Sequence, residues 1–276
     1  MKLTLGVPAH SNEVEVWFTL QALRLYHDLT DTELLVVDNG GTDAMKKAVK
    51  DCRARYERYT DVVGAGPSKN RVFEVAEGEF VVCMDSHVLL FPGSVVALRK
   101  WLDGNWEEAR NLIHGPMSYS GLEGFTYYFK DEWKGNQWGR WGSTVTEAQL
   151  PTEPVEVDMM ASGLLGCRKD SWLGFHKDCR GFGGIEGVIQ RKYQAAGRKA
   201  LCLPFLKWVH CFLDRPRHWP LLQSDKVRNY ELGLSELGME EEIVRMREHF
   251  GVGRNKIIMT KDDGEIKEER DFSAFY

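Results

Sequence analysis

Short apolar runs alternate with amphipathic stretches through the first hundred residues. Residues 2–7 and 33–37 read as strands, and so does 79–84, the run Glu-Phe-Val-Val-Cys-Met. A continuous apolar run of that length is the signature of a strand covered on both faces, as in a parallel sheet. Between them, residues 12–27 place Val16, Leu20, Leu23 and His27 roughly on one helical stripe. Residues 42–59 have helical character, with Thr42 or Asp43 as the N-cap. Val62-Val63 suggests a short strand, 69–77 a helix that Gly78 stops, and 93–102 another helix. This alternation predicts an α/β fold, a mostly parallel sheet flanked by helices.

From 115 to 156 the pattern dissolves. Seven aromatics (Phe125, Tyr127, Tyr128, Phe129, Trp133, Trp138, Trp141) lie among Lys, Gly and Arg, without a clear period. Such a stretch has the look of a loop that stacks on a sugar, a peptide or a base. Residues 155–165 turn apolar again, 180–196 read as a Gly-rich opening into a helix, and 200–206 read as a strand. A charged helix is expected near 239–250 and a hairpin near Asp262-Asp263-Gly264. The reading divides the chain into a main domain, 1–213, whose two halves meet at about residues 105–106, and a C-terminal extension, 214–276.

Composition narrows this little. With 276 residues, 43% hydrophobic and 28% charged, the chain can bury a sizeable core. No apolar stretch approaches the roughly 20 residues that span a bilayer, and the first residues carry no leader pattern. The six cysteines are scattered with no CxxC pair. Together these point to a reducing, cytoplasmic compartment and no membrane partner. The net charge of −5 disfavours a general nucleic-acid binder. It is uneven, however: nine Lys/Arg lie between 191 and 228 (191, 192, 198, 199, 207, 215, 217, 226 and 228) against Asp214 and Asp225.

The most informative chemistry is Asp85-Ser86-His87, at the end of the 79–84 strand. If the chain stays extended, Asp85 and His87 point the same way from the C-terminal edge of the sheet, where open α/β folds bind ligands. One carboxylate and one imidazole suit a divalent metal that also holds phosphates, and the imidazole favours Mn²⁺ over Mg²⁺. His210, in Trp208-Val209-His210, offers a third ligand.

Asp38, the Gly-rich turn before Ser68-Lys69-Asn70-Arg71, Asp85-Ser86-His87, Met160-Ala161-Ser162-Gly163-Leu164-Leu165, Gly183-Gly184-Ile185-Glu186 and Trp208-Val209-His210-Cys211-Phe212 occur in that order. The order resembles the GT-A glycosyltransferases. Within them it is most similar to the polypeptide N-acetylgalactosaminyltransferases and related family-2-type enzymes, over about residues 3–213. The resemblance implies that 1–213 is the catalytic domain, with a nucleotide-sugar half to about residue 105 and an acceptor half from 106, and that it uses a UDP-sugar donor and Mn²⁺ held by Asp85, His87 and His210. Asp38 would bind the uridine end, Pro8 would wall the nucleotide pocket, and Arg71 would sit near the nucleotide or sugar. Ser86 falls in the donor-binding set, and Glu186 would contact donor or acceptor near the reacting centre. The chain departs from the pattern where the family has Gly-Gly-Glu and this sequence has Gly184-Ile185-Glu186. It departs again at Tyr193, near the place of a family tryptophan.

Transfer from a nucleotide diphosphate sugar needs negative charge stabilised on the departing diphosphate. Arg215, Arg217, His218, Lys226 and Arg228 follow the third ligand, and Arg215 is the first choice for a catalytic cation. An inverting reaction would need a carboxylate base, with Glu186 first and Asp158 second. The family resemblance implies retention. The expected acceptor is a hydroxyl of a macromolecule, a protein Ser/Thr or a hydroxymethylated base of DNA, contacted by the aromatic stretch 125–141. The rival readings are a nucleotide- or sugar-binding module without activity and a sugar nucleotidyltransferase. The loop Pro8-Ala9-His10-Ser11-Asn12 is not the Gly-rich basic loop the latter would use.

Overall fold

A computed structural model describes residues 2–119, 124–211 and 221–252. The strands are β1 (Leu3–Ala9), β2 (Thr32–Asp38), β3 (Arg55–Arg58), β4 (Phe80–Met84), β5 (Val88–Leu90), β6 (Leu112–His114) and β7 (Met117–Tyr119). They continue with β8 (Phe125–Thr126), β9 (Phe129–Lys134), β10 (Gln137–Trp141), β11 (Val155–Glu156), β12 (Leu164–Arg168), β13 (Ala200–Cys202) and β14 (Trp208–His210). The α-helices are α1 (Glu13–Tyr26), α2 (Asp43–Asp51), α3 (Ala65–Val75), α4 (Ser94–Gly104), α5 (Val188–Ala195), α6 (Gln223–Glu236) and α7 (Glu240–His249).

Eight strands form one sheet in the order β11-β13-β6-β12-β4-β1-β2-β3. β1, β2, β3 and β4 run parallel, and β12 inserts antiparallel between β4 and β6. The apolar runs read from sequence are its central strands: Leu3, Leu5, Val7, Phe80, Val81 and Cys83 are fully buried. The charged Arg-Tyr-Glu-Arg of β3 lies at the edge, where such residues discourage further strand pairing. A second sheet, β5-β14-β7-β8, and the β9–β10 hairpin stand against it.

The expected helix over 42–59 is two elements. Thr42 Oγ1 accepts from Met45 N–H at 3.1 Å and starts α2, as its N-cap chemistry predicts. The helix then ends at Cys52, Arg53 takes a left-handed φ of 51°, and the chain returns as β3. Val62-Val63 is not a strand: it lies in the connection to α3, where Val63 C=O accepts from Gly181 N–H at 2.8 Å. The helix expected from 180 begins only at Val188, because Gly181, Gly183, Gly184 and Gly187 all have positive φ and keep the segment as a loop. The 200–206 strand is shorter, ending at Cys202. Helix α6 has no counterpart in the sequence reading, and the expected hairpin near 262–264 lies outside the described residues. All six cysteines are free, and five are buried. Among the described residues no helix is long and apolar enough to cross a membrane.

Candidate active site

The chain does not stay extended after β4. Val88 N–H donates to Asp85 C=O at 3.0 Å, so Ser86 and His87 form a turn. Asp85 and His87 nevertheless converge, because β5 follows the turn at once and pairs antiparallel with β14. That register sets His210 opposite Val88, and Cys211 N–H donates to His87 C=O at 2.9 Å. The two imidazoles cross at 81° with centroids 4.5 Å apart. One ligand atom from each of Asp85, His87 and His210 lies within 4.8 Å of the others. Asp85 N–H is fixed on Gly163 C=O at 2.8 Å. A Cβ at Gly163 would stand 3.0 Å from both His210 Cδ2 and the Trp208 ring, so glycine lets this strand approach the histidine.

The electrostatics of the cluster come from Lys69. It is only 2% exposed, and its Nζ lies 2.5 Å from Asp85 Oδ1 and 3.0 Å from Ser162 C=O. Burial alone would push Asp85 up. The Lys69 charge first, and then the neighbouring His210 and His87, outweigh it and hold the carboxyl well below its ordinary range. Lys69 is itself raised: burial works against its charge, and Asp85 more than restores it. Burial lowers His87, with Asp85 opposing, so the imidazole is neutral and fit to donate a lone pair to a metal. On its other side Glu15 stands 3.9 Å from His87 Nδ1, held by Asn12 Nδ2 at 2.9 Å. A carboxylate there favours one orientation of a ligating histidine. The donor set, one carboxylate and two imidazoles with a carboxylate behind, fits a divalent transition ion.

The cluster opens into a cavity of about 370 Å³ lined on one side by Pro8, His10 and Asn39, and on the other by Tyr119, Phe129, Gln137, Glu186 and Lys226. Glu186 stands just before α5, and its carboxylate accepts from Ile185 N–H at 3.1 Å and Tyr230 O–H at 3.2 Å. Burial raises Tyr230 far above its ordinary value, so its hydroxyl remains a donor. Lys226 reaches the cavity from α6 across the glycine loop. A Cβ at Gly184, where φ is +75°, would meet Lys226 C=O at 2.2 Å. The loop's glycines therefore admit α6 to the site.

Pro8, Ser86, Asp85, His87, His210, Glu186 and Lys226 are brought together as cavity lining. Ser86 is buried, and its hydroxyl accepts from Asn12 Nδ2. Three expected residues are not in the lining. Asp38 is fully buried: its carboxylate accepts from Gly40 N–H, Gly41 N–H at 2.8 Å and Tyr56 O–H at 2.8 Å. Those bonds close the Asp-Asn-Gly-Gly turn. Burial first, and then the bond to Asp38, pushes Tyr56 up to about 12. Arg71 points away and pairs with Glu57 and Glu74. Asp158 is exposed, with only its backbone carbonyl engaged, by Gln194. Arg215, Arg217 and His218 lie outside the described residues.

Among the described residues most of the basic run is paired. Arg191, Lys192, Lys199 and Lys207 pair with Asp131, Glu236, Glu156 and Glu147, while Arg198 and Arg228 donate to backbone carbonyls. The aromatic stretch is largely packing: Trp138 is buried, and Trp133 stacks on it and meets Tyr230 and Phe250. The sequence reading missed Lys69, Glu15 and Tyr230. Lys69 was legible, since it shares a helical stripe with buried Val72, Phe73 and Ala76, a place an unpaired lysine rarely occupies.

The fold and cluster define a GT-A glycosyltransferase architecture. The Glycosyl transferase family 2 profile matches residues 4–156, and the chain belongs to that family. Among solved structures the chain is similar to GalNAc-T7 with UDP, GalNAc and Mn²⁺, at TM-score 0.66 and 13% identity over 91% of this chain. It spans 54% of that protein's length. It is also similar to S. aureus TarS 1–349 with UDP-GlcNAc, at TM-score 0.63 and 16% identity, covering 90% of this chain and 72% of that one. A third is the mannosyltransferase PcManGT from Pyrobaculum calidifontis with GDP-Man and Mn²⁺, at 0.56 and 14%, covering 90% and 69%. No curated protein sequence matches the chain.

Proposed function

We propose that this family 2 protein is a metal-dependent glycosyltransferase that moves a sugar from a UDP-sugar to a hydroxyl of a macromolecular acceptor, with retention. The observation that carries the reading is the meeting of Asp85, His87 and His210 at the mouth of one cavity, at the C-terminal edge of the parallel strands. Those three residues would hold Mn²⁺, or Mg²⁺ less readily, and the bound ion would supply Lewis-acid stabilisation of the diphosphate. GalNAc-T7 and PcManGT, both solved with Mn²⁺, support that assignment.

The chain's own residues have separate roles. Lys69 keeps Asp85 ionised and still, and Glu15 orients His87. Lys226 places a cation in the cavity for the diphosphate, and Pro8 walls the nucleotide end. Glu186, fixed by Tyr230, faces the donor sugar, where a carboxylate favours positive charge developing at the anomeric carbon. In the retaining path the acceptor oxygen bonds to that carbon on the face from which the diphosphate leaves. The carbon–oxygen bond to phosphate breaks, and the acceptor proton passes to the departing phosphate oxygen. Proton NMR of the product reads the anomeric configuration.

UDP release from a panel of UDP-sugars, with Mn²⁺ and then with EDTA, tests the assignment. Release selective for one sugar, lost with EDTA and in His87→Ala, is the expected result. Release that persists in both removes the metal from the reaction. Arg215→Ala should lower turnover far more than it lowers fold stability, as measured by paired kinetics and urea unfolding. Protein Ser/Thr and hydroxymethylated DNA acceptors separate in a salt series, since phosphate contacts weaken steeply with salt.

A further inference from the structure

We infer that Asn229 is a positioning residue for the proposed transfer: from behind the cavity it clamps the Gly-rich loop 180–184, and so holds Glu186, two positions further on, at the reacting centre. The role of Glu186 in this rests on the transferase reading, whereas the clamp is a matter of geometry. Loop 180–184 has little of its own to keep its shape. Gly181, Gly183 and Gly184 take φ of 62°, 88° and 75°, a region glycine enters without strain, but glycine also loses the most freedom when it is fixed. The loop nevertheless brings Phe182 and Gly183 into the cavity lining and leads directly to Glu186.

Asn229 stands on α6 and is only 2% exposed. Its Oδ1 accepts from Arg180 N–H at 3.0 Å, and its Nδ2 donates to Arg180 C=O at 2.7 Å and to Gly183 C=O at 2.9 Å. Both donors and the acceptor of the amide are thus spent on the loop backbone. The approach is so close that glycine is needed opposite: a Cβ at Gly184 would come 2.9 Å from Asn229 Cβ. On its other side the loop is tied to the start of α3, the helix that carries Lys69. Gly181 N–H donates to Val63 C=O at 2.8 Å, and Gly181 C=O accepts from Ala65 N–H at 2.9 Å. Lys226, Asn229 and Tyr230 stand at i, i+3 and i+4, on one face of α6. Lys226 lines the cavity, Asn229 grips the loop backbone, and Tyr230 donates to the Glu186 carboxylate at 3.2 Å. Among the described residues neither Asn229 nor Tyr230 is hydrogen-bonded to Asp85, His87 or His210, so the loop can be loosened without disturbing those three.

Asn229→Ala and Asn229→Asp, each compared with wild type in two measurements, test the clamp. Hydrogen exchange read by mass spectrometry reports on the loop, and UDP release from the panel of UDP-sugars with Mn²⁺ reports on turnover. Asn229→Asp keeps the size of the side chain and its acceptor but loses both donors, and sets a carboxylate against two carbonyl oxygens. The expected result in both variants is faster exchange over 180–187 with wild-type exchange over 80–90, and Mn²⁺ binding unchanged by electron paramagnetic resonance. In both, kcat should fall about tenfold or more while the donor KM moves far less. Circular dichroism and thermal melts check folding, and Asn229→Ser, which keeps one hydroxyl donor, stands in for a variant that does not fold. Wild-type kcat in Asn229→Asp would reduce Asn229 to packing and overturn its role. Unchanged exchange over the loop in both variants overturns the clamp. Faster loop exchange with wild-type kcat in both overturns the positioning role and keeps the transferase. Faster loop exchange in the variants, with no UDP release from any donor by wild type, keeps the clamp and overturns the transferase.

Discussion

At the scale of single residues, the site turns on a buried lysine. Lys69 exchanges its hydration for Asp85 and Ser162 C=O, and Asp85 retains 28% of its side-chain exposure toward the cavity. Removing one member of a fully buried pair costs about 3–5 kcal/mol. Because Asp85 still meets cavity water, Lys69→Met should cost less, roughly 2–3 kcal/mol in urea unfolding. It should cost much more in turnover, since Asp85 then loses the charge that keeps it ionised. A variant with unchanged kcat would reduce Lys69 to packing. Asp85, His87 and His210 were legible because carboxylate and imidazole at a strand end name their own chemistry. Asp38 stands before Asn-Gly-Gly, and the turn's own N–H groups take up its carboxylate. Arg71 was placed by the family resemblance, and Lys69, two positions earlier, is the residue that meets Asp85. Two positions further along a helix is the opposite side, and there Arg71 finds Glu57.

At the scale of elements, the second half of the eight-stranded sheet is tied to α5 through a buried histidine. His114, on β6, is fully buried; its Nδ1 meets Leu164 C=O of β12 at 3.0 Å, and its Nε2 meets Gln190 Nε2 of α5 at 3.2 Å. The neutral tautomer with the proton on Nδ1 satisfies both contacts. Burial pushes His114 down to about 4, partly opposed by the Leu164 carbonyl. The unfolded chain binds this proton from about pH 6.5 downward and the folded chain does not until about 4, so stability falls across that window as pH drops. The contribution is present above pH 6.5, and its loss amounts to about 3 kcal/mol at pH 4. Urea midpoints of wild type and His114→Gln between pH 7 and 4 should converge as pH falls. Parallel curves would mean that His114 titrates alike in both states. The aromatic stretch shows why this half was harder to read. Its pattern is set by the packing of a hairpin on α6 and α7, contacts from more than 90 positions away that a local period cannot express.

At the scale of the whole molecule, one sheet runs across residue 105, where the sequence reading divides the catalytic domain into halves. β6, β12 and β13 extend the sheet that β1 and β4 begin. Helix α6, whose residues the sequence reading places in the C-terminal extension, sends Lys226 into the cavity and holds Glu186 through Tyr230. The alternation of the first hundred residues was readable because each βα unit is local. The antiparallel insertion of β12 was not, since it is settled by which edge β4 offers after the chain has left it and returned. One continuous sheet, with a cavity lined by residues as far apart in the chain as Pro8 and Lys226, predicts one cooperative transition in calorimetry. Under the proposed function UDP with Mn²⁺ would bind across this cavity, so it should move that single transition as a unit. At a hundredfold excess over Kd the linkage is about 2.7 kcal/mol, or roughly 5–10 °C for a chain of this size. His210→Ala should lose most of the shift that depends on Mn²⁺, although β14 still pairs with β5 and β7. Two resolved transitions, only one of them moved by the nucleotide, would show that the halves fold separately and that the donor is held by the first alone.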